Sequence, residues 1–214
     1  KLSAEQSKLF KSLQKELAVQ VTEGKISSAN EADTRNKLLQ IILGCVYTDQ
    51  GVHYLDAAPR LAVLREVIDQ SAGKVIVFTP YKHSLDVLEK AVSQYASCAV
   101  ISGDVTPSKR DQIFALFQQS AEPRVLLAHP KCMSHGLTLT EASTVCWYGP
   151  PQSLEQYLQA NGRITRPGQR RSQYIAHICS TSLEAQTYKR MQNRESDQGL
   201  LLSMIANKEL SEVL

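Results

Sequence analysis

Five short apolar segments separated by helical segments constrain the fold of this chain more than any other feature. The apolar segments are KVIVFT (74–79), CAVIS (98–102), RVLLAH (124–129), TVCWY (144–148) and QYIAHI (173–178). Such near-continuous apolar runs are typical of strands that are buried on both faces of a parallel sheet. Helical segments such as SLDVLEKAVSQY and PSKRDQIFALFQQS lie between them. The alternation predicts an α/β fold with a doubly wound, mainly parallel sheet flanked by helices.

The first 60 residues have a different, helical pattern. Apolar residues recur at helical spacing over 3–21, and Ser3 with Gln6 forms a candidate capping box. A second helical run, TRNKLLQIILGCVY (34–47), ends in a turn at TDQG (48–51). We therefore predict a helical extension or lead-in segment over 1–60, followed by an α/β lobe over 61–214 that ends in a C-terminal helix.

Composition restricts where the protein works. The chain has 214 residues, a formal net charge of +3 and five widely spaced cysteines, an odd number that fits reduced thiols. No apolar run approaches the roughly 20 residues of a bilayer span, and the N-terminus lacks the apolar middle of a signal peptide. We expect a cytoplasmic protein of a bacterial or host-cell interior with no membrane partner. Because the chain begins with Lys1 instead of methionine, we also expect it to be part of a longer protein.

The loops that follow the predicted strands are the expected ligand-binding region. In open α/β sheets, ligands bind beyond the carboxyl ends of the strands. These loops are TPYKHS, SGDVTPSKR, HPKCMSHGLTLTE and GPPQS. The third is long and mixes two histidines with a lysine, a serine and a glycine, and long loops inside compact α/β domains are commonly functional.

The stretch QANGRITRPGQRR (159–171) contains four arginines. Arg163 and Arg166 are three residues apart near the end of a predicted helix, so they project from nearly the same face if helical spacing continues. A guanidinium is a permanently charged planar fork that suits phosphate oxygens. The pair is therefore a candidate phosphate clamp. The alternative is a solvated helix end whose cations complement the helix dipole.

The same stretch resembles motif VI of superfamily 2 helicases, in the form carried by Swi/Snf-related DNA translocases. The matching positions are Gln159, Arg163, Arg166, Gly168 and Gln169. Upstream, KVIVFTPYKHSLDVLEKAV is similar to motif IV, and ISGDVTPSKRDQIFALFQ to the block that follows it. VLLAHPKCMSHGLTLTEASTVCWYG resembles motif V, especially in phage and bacterial members. The resemblance extends in order from about residue 61 to 205.

The resemblance implies a RecA-like fold and half of an ATPase active site. In this family a first lobe carries the phosphate loop and the acidic Mg²⁺ motif, and the second lobe supplies arginines to the γ-phosphate of ATP. Arg166 matches the arginine finger and Arg163 its partner, and Gln159 and Gly136 match positions that contact nucleotide. The sequence contains no G-x-x-x-x-G-K-[ST]. ATP and Mg²⁺ would therefore be bound mainly by a separate first lobe, and the chain alone should be inactive.

The resemblance also implies that this lobe grips the DNA backbone. The positions that match the family's DNA contacts are Thr79, Lys82, Lys131, Ser134 and His135. Contacts of this kind position a protein without reading sequence, and they make affinity salt-dependent. Two positions depart from the family pattern: Thr138 stands where asparagine is common in motif V, and Thr165 where histidine is common in motif VI.

Several alternatives stay open from sequence. The lobe could be a catalytically degenerate scaffold that binds protein or nucleic acid, or an unrelated nucleotide-binding enzyme, although no G-x-G-x-x-G follows the first strand. DEAD-box RNA helicases share this lobe but usually begin motif VI with histidine-arginine.

His129, Cys132 and His135 have a spacing compatible with zinc ligands. Trp147 and Tyr148 could stack on bases, although core packing is the better interpretation.

Overall fold

The computed structural model describes residues 1–22, 28–133, 139–165, 172–193 and 200–212. Residues singled out above that lie outside these ranges are Ser134, His135, Gly136, Thr138, Arg166, Gly168 and Gln169, and the rest of 166–171 lies outside them as well. Within the described ranges the chain forms strands and helices in the following order.

The strands are β1 (Cys45–Thr48), β2 (Gly51–Tyr54), β3 (Lys74–Phe78), β4 (Cys98–Ile101), β5 (Val125–Ala128), β6 (Ala142–Trp147) and β7 (Tyr174–His177). The α-helices are α1 (Ala4–Thr22), α2 (Ser28–Ile42), α3 (Ala58–Gln70), α4 (Lys82–Val92), α5 (Pro107–Gln119), α6 (Leu154–Asn161), α7 (Ser182–Gln192) and α8 (Leu200–Ala206). A short 3₁₀ helix covers Pro130–Met133. None of the helices in the described ranges is long and apolar enough to cross a bilayer.

The chain divides into two compact units. One consists of Lys1–Arg60 together with Cys179–Leu214, and the other of Leu61–Ile178. The predicted α/β lobe over 61–214 included the C-terminal helices. In the structure, residues from Cys179 onward group with the N-terminal helices, and α8 packs with α1, α2 and α7.

The second unit contains a five-stranded sheet in the order β4-β5-β3-β6-β7. Every neighbouring pair is parallel, with Phe78 beside Ala128 on one side and beside Trp147 on the other. The predicted doubly wound RecA-like α/β sheet is confirmed. The three central strands, β3, β5 and β6, are buried along their whole length, which explains why their sequences are apolar without alternation.

Two helices of this unit, α5 and α6, begin at residues whose side chains cap them. Thr106 caps α5 by accepting a hydrogen bond from the Lys109 amide at 3.4 Å, and Pro107 occupies the first turn. Ser153 caps α6 by accepting from the Gln156 amide at 3.3 Å. Each cap lies directly after a loop from the sheet, so these loops end at fixed points above the carboxyl ends of the strands.

The first unit confirms the predicted capping box at the start of α1. The Ser3 amide donates to Gln6 Oε1 at 3.0 Å, and the Gln6 amide donates to Ser3 Oγ at 3.2 Å. Gln6 Nε2 also donates to the carbonyls of Ile41 and Ile42 at the end of α2, at 2.8 and 3.0 Å. One side chain therefore begins one helix and satisfies the carbonyls that end another.

The helical run predicted over 34–47 is wrong at both ends. Helix α2 begins earlier, at Ser28, and stops at Ile42, after which Gly44 adopts a φ of 86°. This left-handed conformation ends the helix, since glycine adopts it without steric cost. Residues 45–54 then form an antiparallel hairpin, β1–β2, whose turn is the predicted TDQG segment.

A buried ion pair joins Arg60 to Glu184 within the first unit. Arg60 Nη2 donates to Glu184 Oε1 at 2.6 Å, and both side chains are almost completely buried. Arg60 Nη1 donates to Ser180 Oγ at 3.0 Å, and Glu184 Oε2 accepts from the amides of Ser180 and Thr181 at 2.8 and 3.1 Å. Both charged groups are thus hydrogen-bonded, as buried charges must be.

We expect Arg60→Met to destabilise the chain by about 3–5 kcal/mol, because it leaves the Glu184 carboxylate buried without its cation. Urea unfolding followed by circular dichroism measures the change. Arg65→Met is the matched control, since Arg65 lies on the same helix in an exposed pair with Asp69. Its cost should stay below about 1 kcal/mol. Equal costs for the two variants would contradict a special role for the buried pair.

Candidate functional site

All five parallel strands of the second unit end at one edge of the sheet, and the loops there contain most of the predicted site residues. Lys82 begins α4 after β3, and Asp104 lies in the turn after β4. Lys131 lies in the 3₁₀ helix after β5. The parallel topology therefore places these three residues, which are distant in sequence, at one edge of the sheet. Arg163 instead follows the far end of α6, next to Leu139 in the segment that leads into β6.

Lys82 forms an ion pair with Asp104 across this edge. Both side chains are more than half exposed, at 54% and 66%. The loops after β3 and β4 therefore meet above the end of β5, which lies between those two strands. The sequence analysis did not include Asp104, because nothing in the segment SGDVTP indicates a partner on another loop.

His129 joins the loop after β5 to the loop after β3. Its Nε2 donates to the Pro80 carbonyl at 2.9 Å, and its Nδ1 accepts a hydrogen bond from the Lys131 amide at 3.2 Å. Burial lowers the pKa of His129, so the neutral ring is favoured. Both ring nitrogens are occupied, which disfavours the zinc alternative. No cluster of metal-ligating side chains occurs among the described residues.

Lys131 is exposed on the 3₁₀ helix Pro130–Met133. The His129 hydrogen bond fixes its backbone amide, and the flanking residues Pro130 and Met133 are buried. A lysine side chain is thus presented to solvent from an anchored turn. This geometry suits a contact to a phosphate group, which requires only a point charge.

Thr79 is completely buried. Its hydroxyl is hydrogen-bonded to the Ser84 hydroxyl, which in turn donates to the Tyr81 carbonyl at 2.7 Å. The geometry does not favour direct DNA contact by Thr79. The hydroxyl instead ties the end of β3 to the first turn of α4, where Lys82 lies.

Trp147 anchors the helix that leads to the arginines. It is completely buried at the end of β6, and its Nε1 donates to Asn161 Oδ1 at 2.9 Å. Its ring lies between the rings of Phe78 and Tyr157, with centroids 4.8 and 5.4 Å away. The Tyr157 hydroxyl is hydrogen-bonded to His177 Nε2 at 2.9 Å. Core packing explains Trp147, and stacking on nucleic-acid bases does not.

Arg163 lies two residues beyond the end of α6 and is 5% exposed. Its amide donates to the Ala160 carbonyl at 3.2 Å, and its carbonyl accepts from the Leu139 amide at 3.1 Å. The start of motif VI is thus fixed on one side by α6 and on the other by the end of the motif V loop. Gln159 instead lies on the exposed face of α6, where its Nε2 donates to Glu155 Oε1 at 2.9 Å.

Asn161 is a residue that the sequence analysis did not single out as functional. It is the last residue of α6 and is 8% exposed. Its hydrogen bond to Trp147 holds the end of α6 against β6 immediately before Arg163. Little in the sequence indicates that Asn161 is buried, since a polar residue at the end of a helix usually faces solvent.

A polar depression of about 580 Å³ lies at the opposite, amino-terminal edge of the sheet. Lys74 and Arg124 line it, but both side chains satisfy helix ends. Lys74 Nζ donates to the carbonyls of Phe117 and Ser120 at the end of α5, at 2.6 and 2.7 Å. Arg124 Nη2 donates to the Ile68 carbonyl near the end of α3, at 2.8 Å. Lysine capping of a helix C-terminus is favourable. We therefore assign this depression a structural role.

The five-stranded parallel sheet, with these loops at one edge, is the fold of a RecA-like lobe. Residues 59–168 match the family of helicase conserved C-terminal domains. The chain belongs to that family.

Three relatives show how far the similarity extends. A putative protein, p41, of Acyrthosiphon pisum secondary endosymbiont phage 1 is 26% identical over 93% of this chain. The rice (Oryza sativa subsp. japonica) DEAD-box ATP-dependent RNA helicase 9 is 29% identical over 54% of it, and the chicken (Gallus gallus) DNA repair and recombination protein RAD54B 26% over 70%. The chain spans less than half the length of each, at 43%, 18% and 16%.

Solved structures share the fold. The C-terminal domain of the SWI2/SNF2 ATPase of Sulfolobus solfataricus matches all of this chain and 96% of that structure, with a TM-score of 0.71 and 15% identity. The ATPase core of SWI2/SNF2 from the same organism, solved in complex with dsDNA, matches 97% of this chain and 45% of that structure, with a TM-score of 0.68 and 17% identity. The predicted resemblance to a Swi/Snf-related C-terminal lobe is confirmed.

We expect Asn161→Leu to destabilise the chain by about 1–3 kcal/mol, because it leaves the buried Trp147 N–H without an acceptor. Urea unfolding at neutral pH measures this change. The double variant Trp147→Phe, Asn161→Leu removes the donor as well, so its cost should be smaller than the sum of the two single costs. If the cost of the double variant equals the sum of the two single costs, the hydrogen bond between Trp147 and Asn161 does not stabilise the position of α6.

Proposed function

We propose that this chain is the second motor lobe of an ATP-dependent DNA translocase or helicase. The observation that carries the proposal is the position of Arg163, which follows the anchored helix α6 and is held by backbone hydrogen bonds to Ala160 and Leu139. Membership of the helicase C-terminal family supports it. We also propose an intracellular location, where ATP and DNA are both available.

Arg166 and Arg163 are the catalytic groups in this proposal. Arg166 acts as the arginine finger, and Arg163 is its partner at the γ-phosphate. Gln159 and Gly136 complete the nucleotide contacts from this lobe. Fixed guanidinium groups stabilise charge that develops on the transferred phosphoryl group, an effect worth about 10³- to 10⁵-fold in rate. The anchoring of α6 by Trp147 supports such a role, because electrostatic catalysis requires groups held in place.

The first lobe supplies the other half of the active site. Mg²⁺ prefers carboxylate and phosphate oxygens, whereas the residues assigned here to nucleotide are cationic or neutral. They fit the phosphate groups of ATP and do not fit the metal ion. We therefore assign Mg²⁺ and most of the ATP contacts to a first lobe, the partner of this chain, and we infer that this chain alone does not hydrolyse ATP.

DNA is the proposed polymer partner. Lys82 and Lys131 would contact backbone phosphates, with Ser134 and His135 contributing from the motif V loop. Thr79 would act indirectly, by fixing the first turn of α4. A Swi/Snf-type structure of the same fold was solved with dsDNA, which supports duplex DNA over RNA. Closure of the two lobes on ATP would then move one DNA grip relative to the other.

We expect Arg166→Ala in the intact two-lobe protein to lower DNA-stimulated ATP turnover by about 10³-fold or more, because it removes charge stabilisation at the transferred phosphoryl group. A steady-state phosphate-release assay measures turnover, and a fluorescent ATP analogue should still bind. Arg65→Ala, at an exposed arginine of α3, is the control and should retain turnover. Ordinary turnover by Arg166→Ala would exclude that residue from catalysis. An inactive wild-type protein would favour the scaffold alternative.

We expect Lys131→Ala to weaken duplex DNA binding equally for unrelated sequences and to reduce the salt slope of log K by about 0.9, the value for one phosphate contact. Fluorescence anisotropy at several salt concentrations measures both quantities. Lys90→Ala is the matched control, because Lys90 is an exposed lysine at the opposite end of α4. A sequence-selective loss would contradict a phosphate contact. Tighter binding to single-stranded RNA than to duplex DNA would contradict the choice of DNA.

A further inference from the structure

The ion pair between Lys82 and Asp104 places a carboxylate inside the proposed DNA grip. We propose that Asp104 competes with DNA phosphate for Lys82 and so weakens the grip of this lobe on DNA. The inference rests on the proposed function and extends it, because it assigns to an acidic residue the role of limiting DNA affinity. A translocase must release DNA during every cycle, so a limit on affinity serves movement.

The location of the pair supports competition. Lys82 lies in the first turn of α4, and Asp104 lies in the turn that precedes the Thr106 cap of α5. Strand β5 runs between the two strands that carry these loops. The pair therefore lies above the end of β5, the strand that leads directly to Lys131. A phosphate group that binds Lys82 would compete with the Asp104 carboxylate for the same ammonium group.

A second basic side chain lies at the turn that carries Asp104. Arg110 Nη2 donates to the carbonyl of Val105, the residue next to Asp104, at 3.2 Å. The Asp104 carboxylate therefore reduces the positive potential that Lys82 and Arg110 produce at this turn.

The exposure of the pair determines how Asp104 acts. Because both side chains are more than half exposed, their attraction is weak in solvent and a phosphate group can displace the carboxylate. The displaced carboxylate stays tethered next to the phosphate and repels it. Asp104 therefore lowers affinity without blocking binding. It also reduces the salt dependence of binding, since Lys82 is already partly neutralised before DNA arrives.

The test is the substitution Asp104→Asn in the intact two-lobe protein without nucleotide. We expect it to tighten binding to a labelled duplex about 3- to 10-fold at low salt, and to raise the salt slope of log K by up to about 0.9. Asp69→Asn is the matched control. It makes the same charge change at an exposed, arginine-paired aspartate in the last turn of α3, at the opposite sheet edge. Its effect should be less than 2-fold.

A double-mutant cycle separates competition for Lys82 from a general charge effect. In a Lys82→Ala background, Asp104→Asn should tighten binding much less than in the wild-type background. Equal effects of Asp104→Asn and Asp69→Asn would overturn the inference, as would equal effects of Asp104→Asn with and without Lys82. If Lys131→Ala still weakens binding in that case, the proposed DNA grip survives and only the role of Asp104 fails. A wild-type protein that does not bind DNA overturns both.

Discussion

The burial of three neighbouring strands on both faces is the constraint on which this structure depends. Strands β3, β5 and β6 expose no side chain on either side, so helices must cover both faces and the connections must cross from one end of the sheet to the other. Every strand then points the same way, and every outgoing loop emerges at one edge. Lys82 and Lys131 are gathered at that edge by hydrophobic burial, without any attraction between the two cations.

The indole of Trp147 connects this core to the end of α6, the helix that precedes Arg163. It fills space between Phe78 and Tyr157 and at the same time donates a hydrogen bond to Asn161. A purely apolar side chain would fill the space but would not hold the end of a helix. One side chain thus joins the apolar core to the helix that leads to Arg163. The sheet therefore restrains the segment that is proposed to contact ATP.

The sequence predicted the features that depend on local chemistry. Continuous apolar runs identified all five strands of the parallel sheet, and the Ser3–Gln6 box marked the start of α1. Individual side-chain contacts and backbone conformations were not predictable. The bond of the Thr79 hydroxyl to Ser84 is not evident from the sequence, and Thr79 was assigned to DNA from the family resemblance. The hairpin after α2 was missed because the left-handed conformation of Gly44 overrides the helical pattern around it.

The division of the chain into units has a consequence for its synthesis. The helical unit is assembled from the first 60 residues and the last segment, Cys179–Leu214, with the whole α/β unit lying between them in sequence. A hydrogen bond within it, from Gln14 to the Leu210 carbonyl, spans 196 positions. Contacts so distant in sequence close large loops and form slowly. On the ribosome, α1 and α2 can pack on each other early, but their contacts with α8 form only after the sheet has been made.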